Sequence, residues 1–228
     1  MATIYLFDID GTLIHSGGAG RRSICQGIAA VTGRPVASVD PRFSFAGMTD
    51  RAILRRALQE CGERAEMERI GAALDAYLDV LADEVKRASS YRVLEGVESI
   101  LEALRQRGSM MGLGTGNAER GARIKLGRAG LNHYFTFGGF GCEAEDRADV
   151  IRRAIARGAA KFGEKPTSCR SVIIGDTPAD IEAAKANGAA SLIVSTGSWS
   201  HRELQKRDPT WLVDSLASKR ARQVLMSF

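Results

Sequence analysis

Apolar positions along the chain follow two spacings, and the spacing changes from one region to the next. Short continuous apolar runs, which are typical of buried strands, occupy residues 4–7, 110–114, 172–174 and 192–194, with shorter candidates at 134–137 and 211–213. Between these runs apolar residues recur at helical spacing, which predicts helices over residues 97–107, 119–129, 147–162 and 178–187 and a terminal helix. Strands that alternate with helices indicate a parallel, doubly wound sheet of the α/β class.

Residues 16–88 differ from the rest because they show the helical spacing alone. A first helix is predicted around residues 24–31, a second from near Thr49 or Asp50, and a third over about 67–85. The glycine-rich start of this region, residues 16–20, predicts a mobile loop.

This arrangement predicts two domains. Residues 1–15 and 89–228 form the α/β core. Residues 16–88 are inserted after the first strand as an all-helical cap over the carboxyl edge of the sheet.

Composition and charge narrow the class of protein. With 228 residues, 44% hydrophobic and 26% charged, the chain is typical of a globular protein that buries a sizeable core. We find no apolar run near the ~20 residues that span a bilayer, and no leader for export at the amino terminus, so we expect no membrane association and a cytoplasmic location. The four cysteines form no paired motif, and we expect them to be reduced and mostly buried.

The net charge of +5 does not indicate a nucleic-acid partner. Its densest cluster, Lys219, Arg220 and Arg222, has no aromatic residues interleaved and fits a solvated helix face. A monomer and a homodimer are both compatible with the sequence.

Polar residues that could carry chemistry follow three of the predicted strands. Asp8 and Asp10 end the first, and Gly11 permits a sharp exit from it. Thr115 and Asn117 end the strand at 110–114, where they could bind an anion or simply cap the next helix. Asp176 follows the strand at 172–174. The carboxyl ends of parallel strands are where open α/β sheets bind ligands, so we expect these residues to meet there.

The helix after Asp176 has a well-marked start. Thr177 fits an amino cap, Pro178 the first helical position and Asp180 the partner of the cap. Capping accounts for Thr177 and Asp180 but not for Asp176, a free carboxylate that suggests a Mg²⁺ ligand.

The run from Asp8 to Leu13, Asp-Ile-Asp-Gly-Thr-Leu, resembles the nucleophile motif of the haloacid dehalogenase superfamily, in its phosphatase branch. The resemblance continues with Thr115 as the second motif and Gly-Asp-Thr-x-x-Asp at residues 175–180 as the fourth. The layout is similar to that of phosphoglycolate phosphatase-like members, which implies a Rossmann-like core with a helical cap.

The resemblance implies roles for these positions. Asp8 would be the nucleophile, Asp10 the general acid and base, and Thr115 a phosphoryl-binding residue. Mg²⁺ would be held by Asp8, the main-chain carbonyl of Asp10, and Asp176, and Asp180 would orient the water on the metal or the cationic residue. Substrate-binding positions would be Gly11, Thr12, Gly116 and Asn117.

The third motif of that family, a cation, departs from the usual pattern. Arg147 opens the predicted helix before the Asp176 strand and is our prediction for the catalytic cation. Lys165 precedes a proline, but it lies in the loop after that helix, and Lys125 falls within the helix after Thr115. An exposed first-turn arginine is the alternative interpretation of Arg147.

The resemblance implies a Mg²⁺-dependent phosphatase that acts on a small phosphorylated metabolite through an aspartyl-phosphate. A phosphosugar mutase would share every core residue, and a non-catalytic phosphometabolite-binding protein is a weaker alternative. Dehalogenases usually lack the second aspartate, and a phosphonate hydrolase would need a lysine in the cap, where residues 16–85 contain none.

Overall fold

A six-stranded parallel sheet forms the centre of the protein in the computed structural model, which describes residues 2–228. The strands run in the order β5-β4-β1-β6-β7-β8, so the first strand lies in the middle. Their bounds are β1 Thr3–Phe7, β4 Met110–Thr115, β5 Gly138–Phe140, β6 Arg170–Gly175, β7 Ala190–Val194 and β8 Trp211–Val213. A separate pair, β2 Ile14–His15 and β3 Arg92–Val93, is antiparallel.

Nine α-helices are found among residues 2–228, and most follow the predicted positions to within two residues. They are α1 Ala19–Thr32, α2 Asp50–Glu60, α3 Met67–Arg87, α4 Val97–Gln106, α5 Glu119–Gly127, α6 Arg147–Lys161, α7 Pro178–Ala186, α8 His201–Gln205 and α9 Lys219–Met226. The short α8 was not predicted, because five residues are too few to show a helical period.

The middle strand is buried on both faces, as a parallel sheet covered by helices requires. Tyr5 and Phe7 pack with residues of α4, α5 and α9. Ile4 and Leu6 point the other way and pack with residues of α6 and α7. Because β1 is covered on both sides and paired at both edges, its carboxyl end is held rigidly where the chemistry is expected.

The helical segment 16–88 has a hydrophobic core of its own. Apolar residues of α1, α2 and α3 pack together, among them Ile28, Leu58 and Tyr77. The same cluster includes Ala118 at the start of α5, so the helical segment also packs on the sheet-bearing part of the protein. The predicted loop at 16–20 is shorter than expected, since α1 begins at Ala19 after a turn in which Gly17 and Gly18 have φ of +64° and +76°.

The predicted strand at 134–137 is wrong. Residues 132–134 form a 3₁₀ turn, and the strand lies further on, at Gly138–Phe140. The aromatic residues gave the stronger strand signal, but a Cβ on Gly139 would collide with the carbonyl of Val150. Glycine is needed there because α6 packs directly on this strand.

Two predictions about the environment of the chain concern membranes and cysteines. Among residues 2–228 no helix combines the length and apolarity that crossing a bilayer requires. The four cysteines are free, as expected, but all are only partly buried.

Candidate active site

The sequence-predicted site residues meet at the carboxyl edge of the sheet, around the end of β1. Asp8 directly follows β1, and its amide N–H donates to the carbonyl of Ile174 in β6, at 2.8 Å. Thr115 is the last residue of β4 on one side, and Asp176 follows β6 on the other. This is the point at which the strand order reverses, where open α/β sheets bind their ligands. A cavity of about 510 Å³ opens above it and is lined by Asp8, Asp10 and Asp176.

Arg147, the predicted cation, lies in the site and not on the surface. It is the first residue of α6, and its side chain is only 6% exposed. Its Nη2 atom lies 2.9 Å from Oδ2 of Asp8 and 2.5 Å from Oδ1 of Asp180. It also donates to the carbonyl of Gly114, at 3.3 Å. One guanidinium therefore bridges two buried carboxylates.

Asp180 is held by the start of its own helix. Its Oδ2 atom accepts hydrogen bonds from the amides of Asp176 and Thr177 and from the hydroxyl of Thr177, at 3.2, 3.0 and 2.8 Å. The predicted capping box is present. Asp180 therefore joins the start of α7 to Arg147.

Asp176 lies near Asp8 at the strand ends. One of its carboxylate oxygens accepts a hydrogen bond within the protein, and the other is available to bind a cation. Its Oδ1 atom accepts from the hydroxyl of Thr12, at 2.8 Å. A Cβ on Gly11 or Gly197 would collide with Oδ2, so both backbones approach this oxygen closely. The hydroxyl of Thr12 thus supports Asp176, and the predicted role of Thr12 in substrate binding stays a prediction.

The donor set fits a hard divalent cation. Carboxylate oxygens of Asp8, Asp176 and Asp180 lie within 4.8 Å of one another, and all three side chains are buried. Both oxygens of Asp180 are already occupied by hydrogen-bond donors and Arg147, which leaves Asp8 and Asp176 as the available ligands. Few protein oxygens, with remaining positions open to water and phosphate, match the preference of Mg²⁺.

The electrostatics of these carboxylates support the same assignment. Burial raises the pKa of Asp176 well above its ordinary value, and the negative charges of Asp8 and Asp180 raise it further. Burial also raises the pKa of Asp8, although Arg147 opposes the shift. Anions gathered in this way are unfavourable unless a positive charge joins them, which a bound cation would provide.

Asp10 lies in a different polar cluster, whose members are Ser16, Asn117 and Lys125. Its Oδ1 atom accepts from the hydroxyl of Ser16, at 2.6 Å. Its Oδ2 atom lies 2.5 Å from Nζ of Lys125 and accepts from Nδ2 of Asn117, at 3.1 Å. Burial acts to raise the pKa of Asp10, but Lys125 and these hydrogen bonds outweigh it, and the pKa lies below its ordinary value.

Lys125 is the residue of this site that the sequence analysis did not assign. Its side chain is 6% exposed, and it belongs to the buried stripe of α5 with Gly121, Ala122 and Leu126. A lysine at a core position of a short helix was the available signal, because a buried ammonium needs a partner. The spacing alone does not identify Asp10, 115 residues away, as that partner.

The second-motif residues connect the two clusters. Nδ2 of Asn117 donates to Oγ1 of Thr115, at 2.9 Å, so the Thr115 hydroxyl keeps its own proton for another acceptor. Gly116 lines the cavity, and a Cβ there would collide with the carbonyl of Met48 from the helical segment. Glycine at this position allows the helical segment to approach the loop that follows β4.

The start of α2 joins the helical segment to that loop. The amide of Asp50 donates to the carbonyl of Gly116 at 2.7 Å, and Oδ2 of Asp50 accepts from the amide of Ala118 at 2.8 Å. Thr49, the amino cap of α2, also donates its hydroxyl to the carbonyl of Glu145, at 3.0 Å. The second helix therefore begins directly above the loop that follows β4.

Lys165 does not reach the site. It is exposed and precedes a 3₁₀ turn at Pro166–Ser168, which follows the far end of α6. Arg147, at the near end of the same helix, contacts Asp8 instead, and its role as the catalytic cation stays a prediction.

Comparison with known proteins agrees with this geometry. The sequence model of the haloacid dehalogenase-like hydrolases matches residues 2–188. The chain belongs to the haloacid dehalogenase-like hydrolase family. A phosphoglycolate phosphatase of Xylella fastidiosa (strain 9a5c) is 30% identical over 216 residues, which are 94% of this chain and 88% of that protein. These matches confirm the predicted family and the prediction of a phosphatase enzyme.

Solved structures resemble this haloacid dehalogenase-like hydrolase over its whole length. A predicted phosphatase from Clostridium acetobutylicum has a TM-score of 0.71 at 21% identity, covering 100% of both chains. The β-phosphoglucomutase of Clostridium difficile has a TM-score of 0.70 at 19% identity, covering 99% of this chain and 97% of that one. Likeness at these identities concerns the fold, and it confirms the α/β fold class.

Proposed function

We propose that the protein is a Mg²⁺-dependent phosphatase that hydrolyses a small phosphate monoester through an aspartyl-phosphate on Asp8. The observation that carries this proposal is the pairing of Asp8 with Arg147 at the end of β1, at 2.9 Å, beside the buried carboxylate of Asp176. A nucleophile, a phosphate-binding cation and a metal ligand are thus combined at one sheet edge.

In the first step an oxygen of Asp8 attacks phosphorus, and the bond from phosphorus to the leaving oxygen breaks. The anionic phosphate bound beside Asp10 raises the pKa of this carboxyl, which gives a proton to the leaving oxygen, so the product leaves as an alcohol. In the second step Asp10 takes a proton from water, whose oxygen attacks phosphorus, and the bond to Asp8 breaks. Inorganic phosphate is released, and Asp8 is regenerated.

Positive charge and hydrogen-bond donors would hold the phosphoryl oxygens. Arg147, Gly11 and Gly116 line the cavity beside Asp8, and the hydroxyl of Thr115 is a hydrogen-bond partner of the Asp8 carboxylate. Donors fixed before the reaction stabilise the transition state most effectively, because no reorganisation is needed. Asp8, the carbonyl of Asp10 and Asp176 would hold Mg²⁺, which offsets the repulsion between carboxylate and phosphate when bound.

The cavity indicates a small substrate. Its volume is about 510 Å³, and His15, Arg21 and Arg92 line it together with the carboxylates of the site. Arg21 is already engaged, since its Nη1 donates to the carbonyl of Phe43 at 3.3 Å. The phosphoglycolate phosphatase relatives make 2-phosphoglycolate the first compound to test.

A phosphate-release assay over a panel of phosphorylated metabolites, with and without Mg²⁺, tests the proposal. We expect Mg²⁺-dependent release from at least one small monoester. If release is absent and a phosphosugar instead receives the phosphoryl group from Asp8, the enzyme is a mutase. If no compound of the panel undergoes either reaction, the proposed hydrolysis is wrong.

A further inference from the structure

The two carboxylate oxygens of Asp10 have different hydrogen-bond partners, and Lys125 contacts only one of them. The Nζ atom of Lys125 lies 2.5 Å from Oδ2 of Asp10 and 2.6 Å from Oδ1 of Asn117. Nδ2 of Asn117 donates back to the same Oδ2, at 3.1 Å. Lysine, asparagine and aspartate therefore form a closed ring of hydrogen bonds, in which both bonds to Asp10 end on one oxygen.

The other oxygen, Oδ1, has a different kind of partner. It accepts from the hydroxyl of Ser16, at 2.6 Å. A serine hydroxyl can donate or accept, whereas an ammonium can only donate. A proton on Oδ2 would point at N–H donors, but a proton on Oδ1 meets a hydroxyl that can rotate. The carboxyl group is therefore asymmetric before any substrate arrives.

We propose that Lys125 is a positioning residue which, together with Asn117, occupies Oδ2 of Asp10 and leaves Oδ1 to exchange protons with the substrate. This inference rests on the proposed function, in which Asp10 protonates the leaving oxygen. The proton on Oδ1 passes to that oxygen as its bond to phosphorus breaks and the bond from Asp8 to phosphorus forms.

Burial explains why a lysine can do this reliably. Its side chain is 6% exposed, and the carbonyl of Lys125 accepts from the hydroxyl of Tyr91 at 2.7 Å, which fixes this turn of α5. The ammonium of Lys125 also interacts with the charge of Asp50 at the start of α2. The position of Asp10, which follows β1, thus depends on a side chain that is anchored in α5.

The leaving group distinguishes positioning from a merely structural role. An alkyl phosphate needs a proton on its leaving oxygen, while p-nitrophenol leaves readily as an anion. We would measure kcat/KM, which includes the steps up to product departure, for wild type, Lys125→Met and Lys125→Arg with p-nitrophenyl phosphate and with the best alkyl phosphate of the panel. Tyr91→Phe is the matched control, because it removes a hydrogen bond to the same residue without touching Asp10.

General acid catalysis typically contributes a factor of 10² to 10⁴ to the rate. If Oδ1 of Asp10 is no longer held in place to donate its proton, the alkyl ester should therefore react much more slowly, while the aryl ester should be little affected. For Lys125→Met we expect a fall of about thirtyfold or more with the alkyl ester and about threefold or less with the aryl ester. Lys125→Arg, which keeps the charge and donors, should narrow the difference. Tyr91→Phe should leave the ratio of the two values unchanged.

Equal losses with both esters, or no loss with either, in folded Lys125→Met would overturn the inference. The side chain of Asp10 is 38% exposed, so water can reach it after the ammonium is removed. Should Lys125→Met nevertheless fail to fold, the same ratio measured for Lys125→Gln decides by the same criterion. Wild-type protein that releases phosphate from neither ester would refute the proposed function itself, which is a separate result.

Discussion

Nη2 of Arg147 lies 2.9 Å from Oδ2 of Asp8, and both side chains are more than nine-tenths buried. Asp180 holds the same nitrogen from the other side, at 2.5 Å. A buried ion pair contributes little to stability by itself, but it is costly to break, because one charge is left without a partner. We therefore expect the pair to serve chiefly to hold the carboxylate of Asp8 and the guanidinium of Arg147 in fixed positions.

Replacing Arg147 tests whether this guanidinium binds the phosphoryl group. We expect Arg147→Ala to lower kcat by about a hundredfold or more, an effect of the size seen for a lost transition-state donor. Arg147→Lys should recover part of the activity, because it restores charge but not the planar fork of donors. Steady-state kinetics of both variants, with circular dichroism to verify folding, provide the measurement.

Lys165→Ala is the matched control, because Lys165 is an exposed cation beyond the other end of α6. It should change kcat little. A crippled Lys165→Ala together with a fully active Arg147→Ala would show that the third-motif assignment is wrong.

Asp8→Asn should abolish turnover while the protein stays folded. An amide is a poor nucleophile, whereas Arg147 keeps Asp180 as a partner, so no buried charge is left isolated. Phosphate release and thermal unfolding of the same sample give the two measurements. Turnover near the wild-type rate would exclude Asp8 as the nucleophile.

Removal of divalent cations should stop the reaction, since Asp8 and Asp176 provide carboxylates for a cation beside the attacked phosphorus. We expect EDTA to remove activity, Mg²⁺ to restore it, and Ca²⁺ to substitute poorly because its coordination is looser and higher. Unchanged hydrolysis by metal-stripped protein contradicts this prediction. Thermal stability with added Mg²⁺ gives a readout that does not depend on turnover, and it should rise for wild type and not for Asp176→Asn.

Ionisation of Asp50 should contribute a loss of stability as the pH rises from about 4 to about 6. Burial raises the pKa of Asp50 from its ordinary value of 3.8 to about 6, although Lys125 opposes the shift. Because the folded state binds this proton more tightly than the unfolded state, unfolding becomes easier as the proton is lost. Each pH unit is about 1.4 kcal/mol, so the contribution is at most about 3 kcal/mol.

Asp50→Asn should remove that part of the pH dependence, since an amide cannot ionise and its oxygen can still accept from Ala118. Urea unfolding at pH 4.5 and 7.5 measures the change for wild type and variant. Asp75→Asn, an exposed position of α3, is the control and should behave as wild type. The same pH dependence in Asp50→Asn and wild type would show that Asp50 is not responsible.

Most of the fold could be predicted from the spacing of apolar residues. The runs that became β1, β4, β6 and β7 are continuous because these strands are covered on both faces, which gives a strong local signal. The signal failed for β5, whose first two residues are glycines: a Cβ on Gly139 would collide with α6, and one on Gly138 would press against Leu113 and Phe140. It also failed for β2 and β3, since two residues per strand cannot show alternation.

The site was predictable where one residue type follows one strand end. Asp8, Thr115 and Asp176 belong to strands, and their meeting follows from the parallel order of the sheet. Lys125 and Ser16 could not be assigned in this way, because their contacts with Asp10 depend on how α5 and the turn after β2 are placed in three dimensions. Packing across long stretches of chain leaves no local pattern in the sequence.

The β2–β3 ribbon has a consequence for protein engineering. Ile14 pairs with Val93 and His15 with Arg92, so the chain enters and leaves the helical segment through neighbouring residues. An insert whose ends are already adjacent imposes little additional loop-closure cost on the rest of the chain. A chimera that exchanges residues 16–88 for the same region of a relative therefore has both of its junctions at this one pair of strands. Gly116 restricts the choice of relative, because the transplanted segment must pack as closely on the loop after β4 as the backbone of Met48 does here.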